Sequence, residues 1–416
     1  MPKLLQINIT ANWGSTGKIA ESIGIAAIKA GWESYVAYGR WSNSSQSQLI
    51  KMGGRWEKYL HFAEQTIRDN EGLCSRGSTK RLIRQIEELN PDLMQLHNLH
   101  DHYLNYEILF EYLNQTDIKV VWTFHDCWAF TGHCFHFVTA NCLKWKTGCY
   151  SCPMKNVFPH TFLDRSRENY ELKKRLFGGY KNLTIVPVSD WMAGFVKESF
   201  LKDKRIEVIK NGVDLNVFKP FNNNYQELEN SRIELTSKNT NQEKNDFVIL
   251  AVSSVWNKEK GLYDIFKLRE LLPNKYHITI VGLTAKQVGL LPSGIKGIQR
   301  TQNVQELVEL YSGANVLINP TYADTFPTVN LEALACGTPV VTYRTGGSPE
   351  AISDETGCVV EQGDTNALAA SVENVCSRGK LHFVGTCRKR AETYFDKDKC
   401  FEKYVKLYEE LIKEPK

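Results

Sequence analysis

Two carboxylates, Asp324 and Glu332, stand eight residues apart in the run NPTYADTFPTVNLEALACGTPVVTYRTGGSPE, which closes on Gly346-Gly347. Carboxylates accept hydrogen bonds from neighbouring hydroxyls, so this pair suits the hydroxyls of a ribose or a sugar ring. The residues around them predict the frame. Asp324-Thr325 reads as a helix entry, with a capping carboxylate and with Pro327 in the first turn, where a missing N–H costs little. Val329, Leu331, Ala333, Leu334 and Ala335 continue into a mostly buried helix, and Cys336-Gly337-Thr338-Pro339 stops it. Val340 to Tyr343 read as a short buried strand, and Thr345 to Glu350 as a loop opening another helix. A helix start in such a loop offers backbone N–H groups and a positive dipole end, which suits a phosphate.

Other residues could also do chemistry. His125-Asp126 follows an apolar strand, and a histidine beside a carboxylate at a strand end can bond sugar hydroxyls or assist proton transfer. On its own, a strand-end histidine is more often structural. His97-Asn98-Leu99-His100-Asp101 follows another strand of the same domain. His97, His100 and Asp126 are therefore assigned to an acceptor side, against the plainer reading of a polar loop. Asn12-Trp13-Gly14-Ser15-Thr16-Gly17-Lys18 looks like a P-loop only superficially. Asn12 stands where that motif needs glycine, and Ile19 where it needs Ser or Thr. Gly14 and Gly17 read better as a turn permitting close backbone approach.

Five cysteines, Cys127, Cys134, Cys142, Cys149 and Cys152, crowd into 26 residues. Cys149 and Cys152 form a CxxC, and Cys134 with Cys142 would complete a four-sulfur tetrahedral zinc site of structural type. Free thiols or a redox-dependent bridge are the alternatives.

These residues need a scaffold. A chain of 416 residues is long enough for two cores. Its net charge of +4 does not argue for nucleic acid. It has no run of eighteen apolar residues to span a membrane. The first residues read as a strand rather than a signal peptide, so a cytoplasmic protein is expected, with its eleven cysteines reduced. Strands are predicted at 4–10, 34–38, 93–96, 120–124 and 183–188, and again at 247–252, 277–281 and 315–319. Helices at 18–29, 79–89, 261–271 and 304–311 alternate with them. The pattern implies parallel sheets wrapped on both faces. The expected division is a domain of residues 1–215 with the Cys-rich loop 127–152, a second of residues 216–396, and a C-terminal helix from 397 to 416 packing back on the first. A polar stretch, 222–246, reads as a linker or surface insertion. Two doubly wound domains are expected to face a cleft at the carboxyl ends of their strands. Arg76, Lys80, Arg81 and Arg84 give one helix a basic face, either simply solvated or attached to an anionic membrane.

The 319–350 run resembles the donor-site signature of the retaining glycosyltransferases of family 4: two acids with seven residues between them, then Gly-Thr-Pro-Val-Val and Gly-Gly-x-Pro-Glu. The resemblance covers nearly the whole chain and implies the α/β GT-B fold of two Rossmann-like domains. The Cys-rich loop and this version of the signature are most similar to enzymes of colanic-acid and capsular exopolysaccharide synthesis. The resemblance implies sugar transfer with retention from a UDP- or GDP-sugar to a glycan or lipid-linked acceptor. Glu332 would hold the ribose, and Asp324 the transferred sugar. Lys260, in the family's Lys-Gly pair, would stabilise the diphosphate together with backbone N–H groups near Thr328 and Gly346-Gly347. Thr325 and Phe326 complete the donor site, and the Gly14–Gly17 turn would abut the donor phosphates. His125 would contact the donor sugar or the acceptor. Many relatives carry an arginine five residues before the lysine, where this chain has Val255, and Lys258 would compensate. Asp324 replaces the usual glutamate, and Pro327 a common glycine. No DxD motif lies in the cleft segments, so no metal or other cofactor is expected in catalysis. An epimerase of the same architecture and an inactive sugar-nucleotide-binding subunit are the rival expectations.

Overall fold

A computed structural model describes residues 1–221 and 246–414, so the polar stretch 222–246 lies outside the described residues apart from Asp246. The chain forms two compact units, Met1–Lys210 with Asp398–Lys416, and Asn211–Lys397. The first crossing therefore lies at Lys210-Asn211, ahead of the expected 215/216.

The first unit holds a seven-stranded parallel sheet. Its strands are β1 (Lys3–Asn8), β2 (Glu33–Tyr38), β3 (Gln48–Lys51), β4 (Leu93–Leu96), β5 (Lys119–Phe124), β6 (Leu183–Pro187) and β7 (Arg205–Ile206), in the order β3-β2-β1-β4-β5-β6-β7. The central strands are apolar on both faces, as a sheet covered by helices on both sides requires. Leu5 and Ile7 pack in one core cluster while Leu4 packs in another.

The second unit repeats the plan with β8 (Phe247–Val252), β9 (Tyr276–Val281), β10 (Ile295–Ile298), β11 (Val316–Asn319), β12 (Val340–Tyr343) and β13 (Gly357–Val360), ordered β10-β9-β8-β11-β12-β13. All the pairs are parallel. Both sheets thus reverse direction between their first and fourth strands. The crevice outside the carboxyl ends of those strands is where doubly wound sheets bind ligands.

The helix Lys397–Lys413 belongs almost wholly to the first unit. Phe401, Tyr404, Tyr408 and Leu411 are buried with Leu4, Ile23 and Val121. Two tyrosine hydroxyls enter the sheet: Tyr408 donates to Gln95 Oε1 at 2.9 Å, and Tyr404 pairs with Thr123 Oγ1 at 3.0 Å. Gln95 and Thr123 lie on β4 and β5, the strands that lead to His97 and His125.

Candidate active site

In the second unit the site is built at the β8/β11 reversal. The chain leaving β8 turns at Gly261, in left-handed backbone with φ 75°, and a Cβ there would stand 2.0 Å from the Pro320 carbonyl oxygen. Only glycine allows that approach. It brings Lys260 against the loop after β11, where its Nζ donates to Asp324 Oδ2 at 2.7 Å and to the Ala323 carbonyl at 3.2 Å. Both side chains keep part of their surface in solvent. The loop after β12 closes on the same segment. Gly346 has φ 56°, and its Cβ would fall 1.6 Å from the Asp324 carbonyl oxygen. Gly347 N–H donates to the Thr325 carbonyl at 3.0 Å. Gln362, just beyond β13, donates to the Tyr322 carbonyl at 3.2 Å and to Thr345 Oγ1 at 2.7 Å. Three loops therefore grip the strip that carries Asp324.

Several expectations for this strip are corrected. Asp324 does not cap the helix. The helix runs Thr328–Ala335, with Pro327 at the N-cap position and φ −69°. The proline ring disfavours helical backbone at Phe326, so the helix starts only beyond it. Thr328 becomes its first residue. Gly347 N–H is bonded to the Thr325 carbonyl. Phe326 is buried against Phe395, with ring centroids 5.9 Å apart, and supports the loop. Lys258 is exposed on the β8 turn, and its carbonyl accepts the Gly261 N–H.

Glu332, one helical turn into Thr328–Ala335, is half-buried and accepts the Tyr311 hydroxyl at 2.8 Å. Tyr311 is fully buried, so the bond fixes one Glu332 oxygen from behind. No spacing in the sequence marks Tyr311, because it reaches Glu332 from a neighbouring helix. Asp264, likewise unforeseen, accepts both the Tyr322 and Tyr343 hydroxyls, at 2.6 and 2.8 Å, and ties the β8, β11 and β12 ends together.

In the first unit the helix after β1 starts earlier than predicted, at Gly14–Lys29, so Gly14 to Gly17 form its first turn. A Cβ on Gly17 would meet Thr10 Oγ1 at 2.6 Å, which makes this glycine necessary for packing the helix start on the strand end. His125 directly follows β5 and lies beside His97, which directly follows β4. Gln6 Nε2 donates to the Ala20 carbonyl at 2.8 Å, so its oxygen faces His97 Nε2, 3.1 Å away. His97 must then donate from Nε2 and accept at Nδ1, where His125 Nε2 lies at 3.1 Å. The chain of bonds sets the neutral His125 tautomer, with Nε2 protonated and Nδ1 an acceptor. Burial holds His125 at a pKa of about 4 and His97 well below its ordinary value.

His97 and His100, assigned to the acceptor side from sequence, are both buried. His97 orients His125. His100 lies between two carboxylates, with Nε2 2.8 Å from Asp126 Oδ2 and Nδ1 3.4 Å from Asp101 Oδ2. Burial alone would lower its pKa, but those carboxylates overcome it and raise the value to about 10. Asp126 is taken up by His100 and by the Trp128 N–H at 2.9 Å.

The four cysteines expected to bind zinc do share one cavity of about 10 Å³, lined also by His133 and Trp145. Gly132 N–H donates to Cys149 Sγ at 3.2 Å. The bond from Cys134 lowers the Cys152 thiol to about 7. Among the described residues, however, no group of three or more His, Cys, Asp or Glu is placed to hold a metal ion. The four thiols line the same space, and no metal is assigned to them.

Two doubly wound parallel units, with a cation and carboxylates at the reversal of the second sheet, have the architecture of the GT-B class. Sucrose-phosphate synthase from Thermosynechococcus elongatus superposes with a TM-score of 0.71 at 16% identity, over 99% of this chain and 100% of that one. Anabaena HepE, solved with UDP-glucose, superposes with a TM-score of 0.64 at 14% identity, over 98% and 99%. Residues 20–217 match the Glycosyltransferase Family 4 model, and residues 246–378 that of Glycosyl transferases group 1. Together the matches take in most of the chain, which is a glycosyltransferase with a Family 4 region in its first unit and a group 1 region in its second. The colanic acid biosynthesis glycosyl transferase WcaC of Escherichia coli is 23% identical over 98% of this chain and all of its own. The capsular polysaccharide biosynthesis glycosyltransferase CapM of Staphylococcus aureus is 24% identical over 53% of this chain and 59% of its own. The N,N'-diacetylbacillosaminyl-diphospho-undecaprenol alpha-1,3-N-acetylgalactosaminyltransferase of Campylobacter jejuni is 26% identical over 54% of this chain and 60% of its own. Among the described residues, no helix is long and apolar enough to cross a membrane.

Proposed function

We propose that the chain transfers a sugar, with retention, from a UDP- or GDP-sugar to a glycan or lipid-linked acceptor in bacterial exopolysaccharide or capsule synthesis, at the cytoplasmic side of the membrane. The observation that carries this is the Lys260–Asp324 pair, gripped by three glycine-containing or polar loops and followed by the Tyr311-anchored Glu332. Similarity to WcaC along the full length of both chains supports the biosynthetic setting. The Campylobacter relative supports a lipid-linked acceptor, and HepE a UDP-sugar donor.

In this reading Glu332 accepts the ribose hydroxyls. Asp324 accepts hydroxyls of the transferred sugar and orients its anomeric carbon. As the bond from that carbon to the diphosphate breaks, negative charge grows on the leaving oxygen, and Lys260 exchanges part of its bond to Asp324 for that oxygen. The acceptor hydroxyl adds to the same face, and its proton passes to the departing phosphate. No resident metal takes part.

The test is incubation with a panel of UDP- and GDP-sugars, with and without a lipid-linked acceptor. Donor turnover only with acceptor is expected. Lys260→Ala should lower kcat about 10²–10³-fold. Glu332→Ala should raise the donor KM by at least about tenfold, the loss of a charged hydrogen bond. Isomerisation of the donor without acceptor would identify an epimerase instead, and binding without turnover an inactive subunit.

A further inference from the structure

The helix Arg55–Arg68 is inverted. Its apolar side chains Trp56, Tyr59, Leu60, Ala63 and Ile67 recur at helical spacing, the pattern that normally marks the buried face. Here they point outward: Trp56 is 80% exposed, Leu60 67% and Ile67 52%. The buried face is polar. His61 accepts the Gly72 N–H at Nε2, so its Nδ1 donates to Ser75 Oγ at 2.8 Å, and Gln65 donates to the His160 carbonyl at 3.1 Å. Turning the stripe inward would leave those buried polar groups unpaired, so the helix is locked with its apolar face out.

A second element extends the face. Phe162 and Leu163 donate their N–H groups to the Thr66 and Ile67 carbonyls at 2.8 and 3.2 Å, and both side chains are exposed. Phe158 is exposed on the same loop. Cations border the patch. Arg55 and Arg68 mark the two ends of the helix and are exposed. Arg81 pairs with Glu57 at 3.2 Å, which sets the basic helix Arg76–Leu89 beside it, with Arg76, Lys80 and Arg84 exposed.

We infer that the Arg55–Arg68 helix and the Phe158–Leu163 loop seat the enzyme on an anionic phospholipid bilayer, with the stripe in the acyl boundary and the bordering cations on the lipid phosphates. Aromatic and aliphatic side chains flanked by arginines match the chemistry of that interface. A second copy docked on the same face would bring one ring of cations against another. The inference rests on the reading of a lipid-linked acceptor, which such a seat would bring within reach of the enzyme. It also revises the expectation from sequence: the Arg76–Arg84 face borders the membrane contact, and the contact itself is the neighbouring apolar helix.

Sedimentation with vesicles of phosphatidylcholine, with and without phosphatidylglycerol, tests it. The full chain should bind the anionic vesicles, and added salt should weaken binding. Trp56→Ser with Leu60→Ser should cut partitioning at least about tenfold. Lys80→Gln, on a solvated surface, should cut it up to about fivefold. Neither change should alter transfer to a water-soluble acceptor analogue, whose loss in the unaltered enzyme would instead strike at the proposed function. No binding by the unaltered chain, or equal binding by the double variant, overturns the inference. So does light scattering that shows a dimer which the double variant dissociates, because the face would then be a contact between copies.

Discussion

At the residue scale, the first-unit histidines divide by role more sharply than their sequence positions suggest. His125 lies at the strand end expected of a substrate contact, while His97 and Gln6 behind it set its tautomer. His97→Ala should therefore lower kcat while leaving the donor KM nearly unchanged. His97→Gln, which keeps an acceptor for His125 Nε2–H, should recover part of the loss. A structural role alone would move the thermal midpoint of both variants without separating their kcat values. The positions of Asp324 and Glu332, on a loop and on the helix after it, were legible from type and spacing, because eight residues across a loop and a helix turn leave few arrangements. Tyr311, Gln6 and Asp264 were not legible. Each reaches its partner from a different element, and nothing local in the sequence records that approach.

At the scale of elements, the glycines decide how closely the loops can converge. Gly261 and Gly346 both sit in left-handed backbone with a carbonyl oxygen where a Cβ would be. Gly346→Ala should lower the thermal midpoint, since left-handed backbone alone costs a non-glycine residue about 1–2 kcal/mol and the Asp324 carbonyl must also move. It should weaken donor binding as well, read as a smaller thermal shift with whichever of UDP and GDP stabilises the unaltered protein. A variant with an unchanged midpoint and a full nucleotide response would show that the loops tolerate the side chain. The sequence placed this Gly-Gly pair beside a phosphate. The fold adds a bond the sequence did not show, from Gly347 N–H to the Thr325 carbonyl, which closes the loop onto the signature strip. The inverted helix Arg55–Arg68 escaped notice for a related reason. Periodicity shows that a helix has an apolar face, and only packing shows which way the face points.

For the whole molecule, the buried histidines impose a pH window on stability. His61 and His125 are both lowered to about 4, burial being the main cause. Their neutral forms favour the folded state, so this contribution is present above the ordinary histidine value and is lost as pH falls from about 6.5 toward 4. His100 has the opposite sign. Raised to about 10, it contributes fully below the ordinary value and progressively less as pH rises toward 10. The first unit should therefore be most stable near pH 6–7. Between pH 6.5 and 5 the loss should be about 1.5–2 kcal/mol for each of His61 and His125. Urea midpoints at pH 5, 6.5 and 9 check this, and a midpoint that rose from pH 6.5 to 5 would contradict the assignment of His61 and His125 as buried neutral groups. His100→Gln should flatten the alkaline side.

The sequence alone determined the parallel α/β class, the strands of both sheets at their centres, and the Asp324–Glu332 and Lys260-Gly261 pairs. Those features depend on hydrophobic period, turn residues and local spacing, which a linear chain displays. Only the tertiary structure decided that Lys260 pairs with Asp324, that Tyr311 anchors Glu332, and that His97 and His100 are buried against His125 and Asp126. It likewise showed that four clustered cysteines line one cavity, and that one amphipathic helix turns its apolar face to solvent. All of these are contacts or orientations between segments far apart in sequence, set when the packed core leaves each buried polar group a single partner within reach.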